Sequence, residues 1–225
     1  MSNSTCVIPR YTAIPNSAHR TASLKVIVAE KSGEFDYELH ILRHLKESSD
    51  SSHPGHKYVS HLLDFFYFDG PNGRHLCLIF DVLGPNMFSG AERCTDYRLD
   101  GCLARDISAQ VLLAVDYLHS SGVVHGGEPI LTCQSNCGRW PPKKDIHTGN
   151  ILFRVPELES LSPEDITNKF EQPRIGKVAR HDGQPSGDGV PDYLVEPIEF
   201  RAHFIRGFCE VQLIDFGECK LVNLC

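Results

Sequence analysis

The spacing of hydrophobic positions changes period several times along the first half of the chain. Ser23-Leu24-Lys25-Val26-Ile27-Val28-Ala29 alternates and is rich in β-branched residues, which predicts an interior strand carrying one lysine among apolar neighbours. Over 34–47 the period lengthens, and Phe35, Leu39, Leu42 and Leu45 form one stripe of an amphipathic helix with Glu38 beside it. Alternation returns over 62–68 and 76–80, two strands joined by the turn Asp69-Gly70-Pro71-Asn72-Gly73. At Asp81-Val82-Leu83-Gly84-Pro85 the glycine and proline are expected to end the second of them. Leu103, Ile107, Val111, Ala114 and Leu118 then recur at three and four, a long helix stopped by Gly122. Ile151-Leu152-Phe153 and Val211-Gln212-Leu213-Ile214 read as short buried strands. Two regions lack any period. Residues 1–22 are polar and proline-containing, a poorly ordered lead-in, and they hold no glycine, the first being Gly33. Residues 155–210 carry six prolines and predict a mostly surface insert, with a short helix near 162–170 capped by Ser162. This mixture of strands and helices reads as an α+β fold.

Composition narrows the classes. A chain of 225 residues can bury one sizeable core or two small lobes. Its net charge is -7, and no block of like charge exceeds three residues, so neither nucleic acid nor an anionic membrane is an expected partner. No apolar run approaches the ~18 residues of a membrane span, and the first residues lack the flanks of a secretory leader, so a soluble protein of the cytoplasm or nucleus is expected. The nine cysteines are odd in number and scattered, which fits reduced thiols. Cys133 and Cys137 have no second pair at zinc spacing and read as loop residues.

The candidate chemistry lies in two stretches. Asp145-Ile146-His147-Thr148-Gly149-Asn150 leads into the strand at Ile151. A carboxylate and an amide five positions apart on such a loop suit phosphoryl transfer, the first accepting a hydroxyl proton and the second holding Mg²⁺. Val211-Gln212-Leu213-Ile214 likewise delivers Asp215-Phe216-Gly217, a second metal-binding carboxylate on a glycine turn. In this order the motifs resemble the catalytic loop and D-F-G turn of eukaryotic protein kinases. Ser52-His53-Pro54-Gly55, Leu62-Leu63-Asp64-Phe65-Phe66, Gly70-Pro71-Asn72-Gly73 and Ile79-Phe80-Asp81-Val82-Leu83-Gly84 are similar to the SR-protein kinase family, particularly its divergent fungal members.

The resemblance implies a partial two-lobed kinase fold, truncated at both ends, with a small β-rich lobe over 23–83 lacking its glycine-rich hairpin and an incomplete helical lobe over 84–225. It implies ATP and Mg²⁺ as cofactors. Lys25 would contact the phosphates and Glu38 would hold Lys25. Phe80 would stand behind the adenine pocket, the backbone of Asp81, Val82 and Leu83 would bond the base, and Leu152 would lie under it. Asn150 and Asp215 would hold the metals, with Asp145 as base toward a serine or threonine of a protein, Arg/Ser-rich sequences included. Leu42, Leu62, His125 and Phe216 would form the column of side chains found in active kinases. Taken singly, Lys25 is as readily a strand-end lysine reaching solvent, and Glu38 a solvated helix residue. It is their order along the chain that favours the functional reading.

Several departures mark this chain. Residues 127–144 separate His125 from Asp145, where the family has them two positions apart; excising them leaves Val-Val-His-Gly-Asp-Ile-His-Thr-Gly-Asn, an unbroken family text. A loop of that length costs only ~2.5 kcal/mol plus a constant. Displacing the aspartate by ~1 Å, however, can cost about a hundredfold in rate. The run reads as an untranslated intron carried into the sequence, since Gly127-Glu128 is what the donor-like bases GGTGAG would encode. His147 stands where serine/threonine kinases usually have lysine, and the same loop is also similar to aminoglycoside and choline phosphotransferases. A pseudokinase or fragment that only binds is the third reading.

Overall fold

The computed structural model describes residues 4–11, 20–33, 36–48, 50–92, 98–126, 146–159, 165, 168, 174–184, 187, 190–196 and 210–222. The chain divides into two compact units: residues 1–34, 63–82 and 155–201 make the first, and 35–62, 83–154 and 202–225 the second. The strand-rich unit therefore ends one residue short of the boundary expected at Leu83, and the segment 35–62, with its helix, belongs with the helical unit.

The first unit is built on a four-stranded antiparallel sheet ordered β1-β2-β4-β3, from Ser4–Tyr11, Arg20–Val26, Asp64–Gly70 (β3) and Gly73–Asp81 (β4). The lead-in expected to be without structure thus supplies β1. Its β-branched Thr5, Val7 and Ile8 suit a strand, but Pro9 interrupts the pattern. Pro9 falls at the register shift between Ile8 and Tyr11, on an edge strand, where a missing N–H costs least. The sheet position before the lysine strand is therefore filled, though without glycines. The β3–β4 hairpin closes on Pro71-Asn72, with Gly73 at φ 111°. Leu76, Leu78 and Ile79 of β4 are buried at 1% exposure or less. After β2 the chain turns through Ala29–Lys31, and Ser32 secures that turn: its Oγ donates toward the carbonyls of Ile27 and Val28 and accepts from Leu76 N–H at 2.9 Å.

The segment 155–210 is only partly irregular. It opens with Pro156–Glu159 (α4 in chain order), which buries Leu158, and contains an exposed hairpin of Ile175–Lys177 (β8) and Tyr193–Val195 (β9). These three-residue strands escape a periodicity search because neither buries a face. Of the helix expected near 162–170, only Asp165 and Asn168 are described, both helical. His181 is exposed, as expected, and His203 lies outside the described residues.

The second unit carries the helices Tyr37–Ser48 (α1), Met87–Glu92 (α2) and Gly101–Ser120 (α3). Asp36 caps α1 by accepting from Leu39 N–H at 2.9 Å, and Asp100 caps α3 by accepting from Cys102 and Leu103 N–H. Leu39, Ile41, Leu42 and Leu45 of α1 are buried. In α3 the buried face is Ile107, Gln110, Ala114, Tyr117 and Leu118, so Gln110 and Tyr117 take places the apolar stripe assigned to Leu103 and Val111. A three-stranded sheet, β10-β7-β5, pairs Val211–Leu213 (β10), Ile151–Arg154 (β7) and Leu83–Asn86 (β5). β4 ends at Asp81, within the stretch expected to end it, and Gly84-Pro85 falls at a register shift between Leu83 and Asn86 of the separate strand β5. Val123–Val124 (β6) pairs with Lys220–Leu221 (β11).

The loop His53-Pro54-Gly55 packs on α3 inside this unit. His53, His56 and His61 surround Tyr117, with His56 stacked on His61 at 4.0 Å between ring centroids. Gly55 is obligatory: a Cβ there would lie 1.9 Å from the Leu113 carbonyl oxygen.

Candidate active site

The best-defined chemistry is at the end of β10. Val211, Gln212 and Leu213 are all buried, an uncommon pattern that needs partners on both edges of the strand. β7 pairs one edge. The other is covered by Gln110 Oε1, which accepts from Val211 N–H at 2.9 Å, and by Ser60 N–H, which donates to the Leu213 carbonyl at 3.0 Å. Gln212 adds a bond from its amide to the Lys57 carbonyl at 3.1 Å. The strand is thus held rigidly up to the residue before the motif.

Ile214 N–H donates to the Asn150 carbonyl at 2.9 Å, so Asn150 and Asp215 emerge side by side from neighbouring strands. Asp215 then adopts φ 67°, the sole positive φ of a non-glycine among the described residues. Aspartate tolerates this region better than most side chains, yet such strain persists only where the surroundings impose it, and it clusters at functional sites. It sends Asp215 outward, exposed, and Phe216 inward at 1% exposure. The Phe216 ring meets His125 edge-on at 5.5 Å, and His125 Nε2 lies 3.2 Å from the Ile214 carbonyl. Leu42, Leu62, His125 and Phe216, the four residues of the expected column, are all buried in this unit.

Glu38 reaches the same turn. It is 6% exposed, and a Cβ placed at Gly217 would lie 3.6 Å from Asp215 Oδ1 and 3.7 Å from Glu38 Oε2, so both carboxylates flank that glycine. Two such anions repel unless a cation joins them. Asn150 and Asp215 offer hard oxygen donors and no sulfur or imidazole, a set suited to Mg²⁺ rather than to zinc or copper. Among the described residues no cluster of three or more His, Cys, Asp or Glu forms a metal cage. Leu152 is half-buried in β7, opposite Asn86, and Leu83 pairs with Arg154 in the same sheet.

His147 is exposed, and its Nδ1 accepts from Gly149 N–H at 3.0 Å, capping the short turn Thr148–Asn150. With Nδ1 as acceptor the neutral ring carries its proton on Nε2. Gly149 is required by the same contact, since a Cβ there would meet the His147 ring at 2.7 Å. Asp145 and the run 127–144 lie outside the described residues, as do Cys133 and Cys137.

The remaining candidates belong to the first unit. Lys25 sits opposite Leu78, and Ser23 opposite Phe80, so Ser23, Lys25 and Phe80 share one face of the sheet. Ser23 Oγ donates to the Asp81 carbonyl at 3.0 Å and approaches that of Phe80 at 3.4 Å. Residue patterning missed Ser23 and Gln110. A polar residue on the 107-110-114 stripe of α3 was the available sign for the second, whereas nothing in the alternation of β2 distinguishes Ser23.

No family model matches the chain. It is similar to the protein kinase dsk1 of Schizosaccharomyces pombe, 36% identical over 54% of this chain and 23% of that protein. It is also similar to a serine/threonine protein kinase of Aspergillus fumigatus, 32% identical over 79% of this chain and 46% of the relative. A third similarity is to mouse SRSF protein kinase 3, 31% identical over 43% and 18%. The fold matches a crystallised kinase domain with a TM-score of 0.51 at 19% identity, covering 93% of this chain and 46% of the other. The chain thus spans less than half the length of these relatives. Their names favour a protein kinase lineage over a small-molecule phosphotransferase. Among the described residues no helix is long and apolar enough to cross a membrane, and Cys77, Cys102 and Cys219 are not disulfide-bonded.

Proposed function

Starting from this kinship with SR-protein kinase-like serine/threonine kinases, we propose that the protein binds Mg-ATP and transfers the terminal phosphoryl group to a serine or threonine hydroxyl of a protein, Arg/Ser-rich sequences included, in the cytoplasm or nucleus. The observation that carries this is the end of β10, where a rigid strand, a strained Asp215 and the adjoining Asn150 present oxygen ligands beside Glu38. Bound Mg²⁺ would spread the charge that develops on the phosphoryl oxygens.

Asn150 and Asp215 would hold the metal, and Lys25 would contact the phosphates with Glu38 as its counter-charge. Phe80 and Leu152 bound the base, whose edge is met by the backbone of Asp81 and Leu83. Asp145 takes the hydroxyl proton. His147, whose Nδ1 accepts from Gly149 N–H, stands where a lysine would supply a fixed cation to the phosphoryl group. Removing a preorganised donor of that kind costs roughly 10²- to 10³-fold, so turnover is expected to be slow even when binding is intact.

The test is thermal unfolding of the chain with Mg-ATP. At a hundred times Kd the nucleotide stabilises by ~2.7 kcal/mol, about 5 to 10 °C for a chain of this size. Asp215→Asn should abolish the Mg²⁺-dependent part of that shift while leaving the nucleotide-free Tm within about 1 °C. No shift at millimolar Mg-ATP overturns the proposal. Labelled phosphate appearing on an amino sugar, and not on an Arg/Ser peptide, would reassign the substrate.

A further inference from the structure

Ser23 lies against the Asp81 backbone, which in the nucleotide-binding reading above would meet the edge of the base. Its hydroxyl spans two successive backbone carbonyls, 3.0 Å from that of Asp81 and 3.4 Å from that of Phe80. It lies in a central strand on the same sheet face as Lys25 and Phe80, all three being partly buried. A bare carbonyl at this position is a pure acceptor. It rewards a 6-amino purine, which donates, and rejects a 6-oxo purine, whose oxygen faces it lone pair to lone pair. A hydroxyl changes that edge, because it can donate to the carbonyl or turn its hydrogen toward an incoming oxygen.

We propose that Ser23 sets the base selectivity of the nucleotide site, relaxing it so that the chain takes GTP as well as ATP. The proposal rests on the nucleotide-binding reading above. Two consequences of the hydroxyl act in the same direction. A 6-amino group must share the Asp81 carbonyl with a donor already bonded to it, which lessens its gain. A 6-oxo group finds a donor where it would otherwise meet an acceptor. Each is an exchange of one neutral hydrogen bond, so together they shift the ATP-to-GTP preference by about fivefold.

The experiment measures Kd for Mg-ATP and Mg-GTP by calorimetry on the wild-type chain, Ser23→Ala and Ser23→Thr, with a melting curve for each. The wild type should bind the two nucleotides within about tenfold of one another. Ser23→Ala should widen the preference for ATP about fivefold, through weaker GTP and tighter ATP binding. Ser23→Thr keeps the hydroxyl on a strand-favouring residue and should keep the wild-type ratio. Should Ser23→Ala lose its cooperative melt, Ser23→Cys carries the same expectation, since it holds the volume with only a weak donor. A ratio unchanged within twofold in a variant that still binds ATP overturns this proposal alone. Binding of neither nucleotide by the wild-type chain overturns the nucleotide reading and this inference with it.

Discussion

Replacing Gln110 by methionine tests whether α3 secures β10 through its bond to Val211. Gln110 is 9% exposed, and its Oε1 is the acceptor for Val211 N–H at 2.9 Å in a buried bond. Methionine keeps the length and helix propensity of the side chain but carries no comparable acceptor. The Val211 amide is then left buried without a strong partner, a loss of ~1 to 3 kcal/mol, offset in part by the apolar gain of the thioether. A net destabilisation of ~1 to 2 kcal/mol is expected, lowering Tm by about 2 to 8 °C for a chain of this size. Amide hydrogen exchange localises the effect: Val211 should lose protection while β4, in the other unit, keeps its own. Because Val211 begins the strand that ends two residues before Asp215, the Mg-ATP stabilisation should also shrink. A variant that melts within 1 °C of wild type, with Val211 equally protected, would show that the bond does not secure β10.

Other outcomes follow from single contacts. Gly55→Ala must displace the Leu113 carbonyl, since its Cβ would lie 1.9 Å away, and should cost about 3 kcal/mol or more in denaturant unfolding. Gly176→Ala meets nothing within 4 Å and should be near neutral in the same assay. Phe216→Ala empties a ring site with 1% exposure and should cost ~3 to 5 kcal/mol in the same titration. The exposed Arg180 guanidinium, bonded to Asp182, holds that carboxyl below its ordinary 3.8. A depressed folded pKa contributes stability that is present above pH 3.8 and lost as pH falls through the lower folded value. An NMR titration should therefore place the Asp182 midpoint below 3.8, and Arg180→Gln should raise it toward that value, the bond from Gln184 N–H remaining. Finally, if residues 127–144 correspond to an untranslated intron, spliced transcripts should lack them; reads that all retain the run would remove that explanation.

The local periods were legible because each belongs to one element. Alternation marked β2 to β4, and the threes and fours marked α1 and α3, since a side chain's face is set by its own backbone repeat. The two motifs were likewise local: Asp215 announces itself by the strand that precedes it, and Asn150 by the strand that follows it. β1 was not legible, because a proline at an edge-strand irregularity looks the same in sequence as a proline in a loop. Nor was β5, where Gly84-Pro85 signals termination until β7 arrives to pair with it. The β8–β9 hairpin buries no face and so leaves no pattern at all.

The chain's own text determined which chemistry is available: one strand lysine, a helix glutamate, an asparagine and two aspartates in a fixed order. Only tertiary structure decided what those groups stand beside. The Glu38 and Asp215 carboxylates flank Gly217, Gln110 lends its amide oxygen to a strand about a hundred residues away, and His147 is spent on its own turn. The physical reason is that a hydrogen bond or a carboxylate pair depends on distance in space, and residues far apart along a polymer carry no local mark of the partner they will meet.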